Sequence, residues 1–446
     1  MPKGDRAPTA KVQGASKKKK ADALSAADLA KLPDDALVDA VQRQTFRFFW
    51  EGAHPVSGLA SDRRTTRDEP VDDLVAIGGS GFGVMAIIVA VERGWVTRDE
   101  AVQRLMHSLD VLGKATCFHG AYPHFINGLT GATIPFGRKD DGGDLVETAL
   151  LFQGLLCVRQ YFQRDTPEEA SIRSRITRLW EEVEWDWYTQ GGRKLLYWHW
   201  SPWNGWAMDH EIHGWNECLI TYVLAASSPR YSVGADVYHR GYAAGRDFIN
   251  GKTYYGIELP LGQPYGGPLF FAHYSFCGLD PRGLSDQYAN YWDLNVAHVR
   301  INHAHCVANP KKFKGYGADC WGLTASDDAF GYGAHAPDND NGTISPTAAL
   351  SSLPYAPAEV MKALRHFLSR HGDKIWKRYG FVDAFSEQQD WAADTFLAID
   401  QGPIVVMMEN HRTGLLWKLF MSIPEIQNGL RKLGFSSPHL ADKAPR

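Results

Sequence analysis

Four carboxylates lie within eight residues in the stretch Asp140-Asp141-Gly142-Gly143-Asp144-Leu145-Val146-Glu147. Two glycines interrupt them and an apolar run follows, a pattern that predicts a turn opening a buried helix. Asp144 is then expected at the N-cap or in the first turn, where a carboxylate complements free N–H groups and the helix dipole. A structural cap and a catalytic carboxylate fit this stretch equally well.

Glu217 is a second carboxylate at the start of an apolar helix, directly after Trp215-Asn216. Glycoside hydrolysis needs one protonated and one ionised carboxyl group flanking the bond to be cleaved. Apolar, aromatic surroundings favour the protonated form, whereas a helix N-terminus favours the ionised form. We therefore predict Glu217 as the general acid, with Asp140 or Asp144 as the base or as a partner of a sugar hydroxyl. A structural hydrogen bond is the alternative for Glu217.

Further carboxylates and histidines compete for a role. Asp400 precedes another apolar helix and is either a third pocket carboxylate or a cap, whereas Glu387, Asp390 and Asp394 lie in a polar loop typical of solvated surface. The clusters His210–His213 and His298–His305 lack the HExxH spacing that places two zinc ligands on one helical face. The sequence therefore predicts neither a metal nor another cofactor.

Length and composition restrict the class of protein. The 446 residues are 44% hydrophobic with a net charge of −4, which supports a large core and gives no indication of a nucleic-acid partner. The longest apolar run, Val84 to Val91, is too short to cross a membrane, so no membrane partner is predicted. The six cysteines have no CxxC pairing and are predicted to be reduced core residues.

The first 32 residues, rich in Lys, Ala and Ser, are predicted to be a disordered leader. This segment has no apolar stretch of a secretory signal, so the chain as given is expected in the cytoplasm, or in the periplasm if a leader was removed. Residues 33–436 are predicted to form one catalytic domain, followed by a tail at 437–446.

Apolar residues recur at helical spacing along most of the chain. A capping box at Thr97-Arg98-Asp99-Glu100 begins one helix, and Pro after Thr166 begins another. The glycines at 78–83 have no strand before them, so they indicate close helix packing rather than a phosphate site. From Trp185 to Trp206, aromatic and polar residues alternate, a pattern that predicts a short hairpin. The remaining predicted helices lie near 34–50, 84–93, 144–162, 218–226, 236–248, 291–308, 357–370, 402–409 and 424–433.

This succession predicts an all-α fold, a toroid of helical hairpins whose long loops form a pocket at one end. Several ordered motifs then resemble the glucoamylase-like proteins of glycoside hydrolase family 144. The resemblance covers about residues 35 to 436. The motifs are IGGSGFG at 77–83, DDGGDLVET at 140–148, WHWSP at 198–202, GWNE at 214–217, GGPLFFAHYS at 266–275, WGLTASD at 321–327 and IDQGP at 399–403.

The resemblance implies an (α/α)6 toroid that acts on β-1,2-glucans, with Asp140, Asp144 and Glu217 matching the family's important carboxylates. Many relatives carry an export or lipoprotein leader. We expect an inverting hydrolase of β-1,2-glucan or sophoro-oligosaccharides, whose acid and base carboxyls should lie roughly 6.5–9.5 Å apart. Aromatic side chains stack on sugars but also fill cores. The predicted substrate-binding residues are His119, Arg63, Trp198, Trp206, Trp215, Trp321 and Asp400.

Three alternatives remain open from the sequence. The first is a β-glucosidase or other exo-glycosidase of different linkage preference. The second is a sugar epimerase or isomerase on the same kind of toroid, with histidines such as His199 or His273 as acid and base. The third is a non-catalytic glycan-binding protein. The paired acidic helix starts favour a hydrolase over the last two.

Overall fold

A computed structural model describes residues 24–440. The helices are α1 Ala26–Leu29, α2 Asp34–Trp50, α3 Ile77–Glu92, α4 Arg98–Leu112, α5 Leu145–Tyr161, α6 Pro167–Glu181, α7 Leu219–Ser227, α8 Ala235–Val237, α9 Tyr291–Ala308, α10 Pro346–Ser351, α11 Pro357–Ile375, α12 Ala398–Arg412, α13 Leu415–Met421 and α14 Pro424–Lys432. A π-helix spans Tyr238–Tyr242, and 3-10 turns span Trp187–Thr189, Pro264–Gly266, Leu269–Ala272, Ser275–Cys277 and Pro438–Leu440.

The strands are short and pair in twos and threes. They are β1 Arg63–Thr65, β2 Leu74–Ala76, β3 Phe125–Asn127, β4 Thr133–Ile134, β5 Gly143–Asp144, β6 Leu196–Tyr197, β7 His199–Trp200, β8 Glu211–Ile212, β9 Ile249–Tyr254, β10 Ile257–Leu261, β11 Ala325–Asp328, β12 Gly331–Ala334, β13 Trp376–Lys377, β14 Gly380–Phe381, β15 Phe385–Ser386, β16 Trp391–Ala392 and β17 Thr395–Leu397.

The helices form consecutive outer and inner pairs around a ring. The pairs are α2 with α3, α4 with α5, α6 with α7, the α8 and π-helix segment with the 3-10 turns at 269–277, α9 with α10, and α11 with α12. Inner elements contact their inner neighbours, and α12 contacts α3, which closes the ring. His273 Nε2 lies 2.9 Å from Ser352 Oγ and joins the 3-10 segment to the end of α10. This arrangement confirms the predicted (α/α)6 toroid.

Inner and outer helices differ in how their apolar residues are distributed. In α2, an outer helix, the buried residues form one face that includes Leu37, Val38 and Val41. In α3, every residue from Ile77 to Ala90 is buried. A helix surrounded by other helices must be apolar all round, whereas a peripheral helix needs one apolar stripe. In the described part of the chain, no helix is both long and apolar enough to span a membrane.

The glycines of α3 permit close contact with α5. A Cβ at Gly81 would stand 2.1 Å from the Leu150 carbonyl oxygen, and one at Gly154 would stand 2.1 Å from the Gly81 carbonyl oxygen. These separations are far below van der Waals contact, so only glycine fits at either position. The interpretation of the glycine run as a packing device is confirmed, and the run lies inside α3 rather than before it.

Several predicted boundaries are wrong. Trp185 to Trp206 is not a hairpin, because its two strands do not pair with each other. Instead, β6 pairs with β8, and β7 pairs with β5. The segment predicted as a helix near 236–248 contains only α8 and the π-helix, and α10 and α13 were not predicted. Five cysteines are buried as predicted, whereas Cys117 is exposed.

The structured part of the chain extends beyond both predicted domain limits. Leu29 is buried in α1, which contacts α11, and the 3-10 turn Pro438–Leu440 contacts α14. His439 Nε2 also lies 2.9 Å from Asp280 Oδ2. The rest of the predicted leader and tail, residues 1–23 and 441–446, lies outside the described residues.

Candidate active site

A cavity of about 430 Å³ opens where inner helices begin. Its size falls in the range of about 300–1,000 Å³ that is usual for small-molecule sites. The first residues of α3, α5 and α12 and the residues just before α7 contribute to its wall, so several positive helix ends converge there. The lining residues are Asp62, Arg63, Ala76, Gly79, His124, Phe125, Phe136, Glu147, Glu217, Phe270, Tyr274, Ala325, Tyr332, Leu397 and Ile399.

Glu217 lies in this wall and is held there by its neighbours. The Asn216 side-chain oxygen accepts a hydrogen bond from Cys218 N at 3.0 Å, and the Ser275 hydroxyl donates to the Glu217 carbonyl oxygen. Burial, with a further contribution from the charges of Glu147 and Asp144, raises the pKa of Glu217 to about 7. The side chain therefore carries a proton in much of the population at neutral pH and can donate it.

Asp144 caps α5 at its N-terminus, as expected. One carboxylate oxygen accepts hydrogen bonds from Val146 N at 3.0 Å and Glu147 N at 2.9 Å, and the other lies 3.1 Å from His124 Nδ1. The residue is 1% exposed. Asp144 thus fixes the start of α5 and the position of His124, which lines the cavity.

Asp140 is less restrained and stands beside the same histidine. Single ligand atoms of Asp140, Asp144 and His124 all lie within 4.8 Å of one another. Within the described residues, Asp140 Oδ1 is enclosed without a hydrogen-bond partner, although it lies 3.4 Å from His199 Nε2. Burial and the charge of Asp144 raise the pKa of Asp140 to about 6. An ionised Asp140 with a free oxygen atom is suited to hold water or a sugar hydroxyl.

His124 and Glu147 are site residues that the sequence did not predict. Burial lowers the pKa of His124, but Glu147 and the two aspartates outweigh this effect and raise the pKa to about 10. Glu147 accepts a hydrogen bond from Gly78 N at 2.7 Å, where α3 begins, and burial raises its pKa. An imidazolium therefore lies among the carboxyl groups and offsets their repulsion. Only the spacing of Glu147 within the acidic stretch could have indicated it.

Arg63 lines the cavity from β1, and its predicted role in substrate binding stays a prediction. Its guanidinium lies 3.4 Å from Asp62 and 3.4 Å from Asp327, and its side chain is 44% exposed. Burial raises the pKa of Asp62. Because Arg63 remains partly exposed while its partners hold it, its remaining donors can bind sugar hydroxyls.

Asp400 lies below the cavity rather than in its wall. It is 4% exposed, and one oxygen accepts a hydrogen bond from Tyr274 OH at 3.2 Å. Burial raises the pKa values of both Asp400 and Asp383, and the charge of Asp400 raises the pKa of Asp383 further. Asp400 does not itself line the cavity but contacts Tyr274, which does, so its predicted role in substrate binding stays a prediction.

The aromatic wall differs from the predicted one. Trp215 packs against Phe248, Phe276 and Tyr291, and Trp321 is fully buried, so both are core residues. Their apolar neighbours in the sequence fit a core as well as a pocket, and only packing separates the two. The aromatic residues that line the cavity are Phe125, Phe136, Phe270, Tyr274 and Tyr332.

The other predicted aromatic residues form separate clusters outside the cavity wall. His119 stacks on Trp187 with ring centroids 3.7 Å apart, and Trp206 lies 6.4 Å from the same tryptophan. Trp198 stacks on His210 at 4.7 Å. His119, Trp198 and Trp206 are therefore not among the residues that line the cavity, and their predicted role in substrate binding stays a prediction.

The histidines of the epimerase alternative do not line the cavity. His273 is buried in the helical ring, and burial lowers its pKa to about 3. His199 accepts a hydrogen bond from Gly142 N at 3.0 Å, and burial lowers its pKa as well. Neither position suits a group that must exchange protons with a bound sugar.

The cluster of His124, Asp140 and Asp144 has the ligand types of a cation site. The neighbouring carboxylates favour the protonated form of His124, and a metal ion would have to displace that proton to bind. The predicted absence of a metal and of other cofactors stays a prediction.

Comparison with known proteins agrees with the geometry. A family model described as "Putative glucoamylase" matches residues 209–424. The crystal structure of a "putative glucoamylase" from Bacteroides uniformis is 55% identical over 92% of this chain and 100% of that chain, with a TM-score of 0.90. The chain belongs to the glucoamylase-like proteins of glycoside hydrolase family 144.

Two further members of this family have informative names. An endo-β-1,2-glucanase from Chitinophaga pinensis, solved with sophorotriose and glucose, is 52% identical over 92% of this chain and 100% of that chain, with a TM-score of 0.89. An exo β-1,2-glucooligosaccharide sophorohydrolase (non-reducing end) from Parabacteroides distasonis is 47% identical over 423 residues, 90% of this chain. The chain spans 58% of the length of that relative.

Proposed function

We propose that this protein is a glycoside hydrolase that cleaves β-1,2-glucosidic linkages in glucan or sophoro-oligosaccharides. The observation that carries the proposal is a protonatable Glu217 in an aromatic cavity, with ionisable Asp140 next to His124, which lines the same cavity. Glycoside hydrolysis requires one carboxyl group whose raised pKa keeps it protonated and a second carboxyl group whose lower pKa keeps it ionised. The names of the relatives from Chitinophaga pinensis and Parabacteroides distasonis support the choice of the β-1,2 linkage.

In the proposed reaction, Glu217 donates its proton to the glycosidic oxygen as the bond to the anomeric carbon breaks. Asp140 accepts a proton from a water molecule, whose oxygen attacks the anomeric carbon from the opposite face. The configuration of the anomeric carbon is therefore inverted. Asp144 positions α5 and His124, and the imidazolium of His124 keeps Asp140 ionised by its positive charge.

Arg63 and the aromatic side chains would orient the sugar. Tyr332 is 56% exposed and Phe136 is 60% exposed, and both line the cavity. Aromatic faces stack on the C–H faces of glucose units, whereas Arg63 supplies hydrogen-bond donors to hydroxyl groups. These contacts would select a glucan chain without requiring a metal ion.

Product analysis tests the proposed activity. The protein would be incubated with linear β-1,2-glucan, sophoro-oligosaccharides and a panel of β-1,3-, β-1,4-, β-1,6- and α-linked glucans, and followed by chromatography and proton NMR. We expect cleavage of β-1,2 substrates alone, with the α anomer formed first. Product lengths distinguish internal cleavage from release of sophorose at a chain end. Cleavage of another linkage without the β-1,2 substrates would overturn the assigned specificity.

A pair of variants tests the acid. Glu217→Gln should lower kcat by about 100- to 10,000-fold, the usual contribution of a general acid, with unchanged circular dichroism and thermal midpoint. Glu211→Gln is the matched control, because Glu211 is exposed on β8 and does not line the cavity. Near-normal turnover by Glu217→Gln would eliminate Glu217 as the acid.

A further inference from the structure

A second group of chemically reactive side chains lies away from the cavity, at the C-terminal half of α11. His366 and His371 project from this helix, and Glu387 follows β15. One ring nitrogen of each histidine and one oxygen of Glu387 all lie within 4.8 Å of one another. His371 Nε2 and Glu387 Oε1 are 3.1 Å apart, a separation typical of two ligands on one metal ion.

The hydrogen bonding of this group is incomplete. Among the described residues, the Nε2 atoms of both His366 and His371 are enclosed and have no hydrogen-bond partner. The His371 side chain is 10% exposed and that of Glu387 is 22% exposed. Enclosed polar atoms in native proteins normally have a partner. His371 Nε2 faces the Glu387 carboxylate, and one ring nitrogen of His366 lies within 4.8 Å of both, so the three side chains leave ligand atoms available to an ion.

The surroundings allow a small ion to reach the group. A groove of about 320 Å³ runs beside it and is lined by His371, Glu387 and Ser386 among others. Arg370, Lys374 and Lys314 also line the groove and oppose a cation, but Lys374 is paired with Asp390 at 2.7 Å. Burial lowers the pKa values of both histidines, and the uncharged imidazole is the form that binds metals.

We propose that His366, His371 and Glu387 bind one divalent transition-metal ion, and that Zn²⁺ is the ion that fits best. Two imidazoles and one carboxylate are a zinc ligand set, and water from the groove would complete four-coordination. The ion would join α11 to the segment between β15 and β16. None of its three ligands lines the candidate active site.

Metal binding would be tested on the full-length protein after removal of metal with a chelator. Zn²⁺ would be titrated by calorimetry and counted by mass spectrometry, and Co²⁺ would be added as a spectroscopic probe. We expect one ion per chain, a visible absorption band of four-coordinate Co²⁺, and a higher thermal midpoint with Zn²⁺ present.

His371→Gln and Glu387→Gln should each weaken Zn²⁺ binding by at least about tenfold, the minimum effect of losing even an outer-shell partner. His107→Gln is the control, since His107 is exposed on α4. His124→Gln tests the competing cluster in the cavity. Unchanged Zn²⁺ affinity in His371→Gln and Glu387→Gln, or loss of binding only in His124→Gln, would overturn the proposal. Hydrolysis by the His371 and Glu387 variants at low temperature is expected to match the parent, which separates this site from the proposed activity.

Discussion

At the level of single residues, burial acts on two carboxyl groups to different extents. Glu217 has aromatic and apolar neighbours and the nearby charges of Glu147 and Asp144, which raise its pKa to about 7. Burial and the charge of Asp144 also raise the pKa of Asp140, whereas the charge of His124 lowers it, and the resulting pKa is about 6. The same helix-start pattern in the sequence thus produces one better acid and one better base.

These values predict a narrow pH optimum. Activity should fall as pH rises through about 7, because Glu217 loses its proton, and fall as pH drops below about 6, because Asp140 gains one. The measurement is kcat/KM for a short β-1,2-linked oligosaccharide between pH 4 and 9. Because interacting carboxyl groups titrate together, the two pKa values read from the rising and falling sides of the profile describe the cluster and not single residues. A profile that is flat from pH 5 to 8 would contradict the assigned pair.

The roles of Asp140 and Asp144 can be distinguished by the stability of the variants that lack each carboxylate. Asp144→Ala removes the cap of α5 and should lower the free energy of unfolding by about 0.5–2 kcal/mol, as well as activity. Asp140→Ala removes no cap, so it should lower kcat by at least about 100-fold with a stability change within about 0.5 kcal/mol. Urea unfolding and turnover of both variants provide the comparison. If Asp140→Ala retains normal turnover, Asp144 becomes the candidate base.

At the level of elements, the contact between α3 and α5 determines how near the active-site groups can come. Gly81 and Gly154 allow the two helices to approach, and Glu147 on α5 then reaches Gly78 N at the start of α3. Because Asp144 begins α5 and positions His124, the helix contact also fixes the acid and base groups.

Gly81→Ala should therefore disturb both stability and activity. The new Cβ would meet the Leu150 backbone at 2.1 Å, and such overpacking is expected to lower the free energy of unfolding by about 1–3 kcal/mol or more. Gly317→Ala is the control, since a Cβ at Gly317 meets nothing within 4 Å. The denaturant concentration at the midpoint of unfolding would be compared for the two variants. An unchanged midpoint in Gly81→Ala would show that this helix contact is not tightly packed.

At the level of the whole molecule, the toroid gathers distant parts of the chain around one cavity. Arg63, Glu147, Glu217 and Tyr332 come from four separate regions and meet because the inner helices begin at the same end. The β11–β12 hairpin adds Tyr332 to the aromatic wall of the cavity.

The hairpin supplies a matched test of the binding surface. Tyr332→Ala should raise KM for sophoro-oligosaccharides by about 2- to 10-fold, the equivalent of about 0.5–1.5 kcal/mol of aromatic contact. Phe330→Ala should leave KM unchanged, because Phe330 is 81% exposed in the same hairpin and does not line the cavity. Equal effects of both substitutions would indicate a general loosening of the hairpin instead.

Local patterns in the sequence were sufficient for much of the helical framework. Residues 34–50 and 291–308 were predicted with their observed limits, because cap residues and apolar spacing are local properties. The places of Asp144 as a cap and of Glu217 before α7 follow from the same signals. The short helices α10 and α13 were missed, although α10 begins with Pro346 directly after Ser345.

Only the tertiary structure decided which side chains face the cavity. Trp321 and Tyr332 are both aromatic residues near glycines, yet Trp321 is in the core and Tyr332 is in the wall. His124 acquires its role from carboxylates on other elements, and Asp400 is hydrogen-bonded to Tyr274, a residue of the cavity wall. Helix spacing is encoded over a few residues, whereas burial and pKa depend on groups that approach only after the ring has closed.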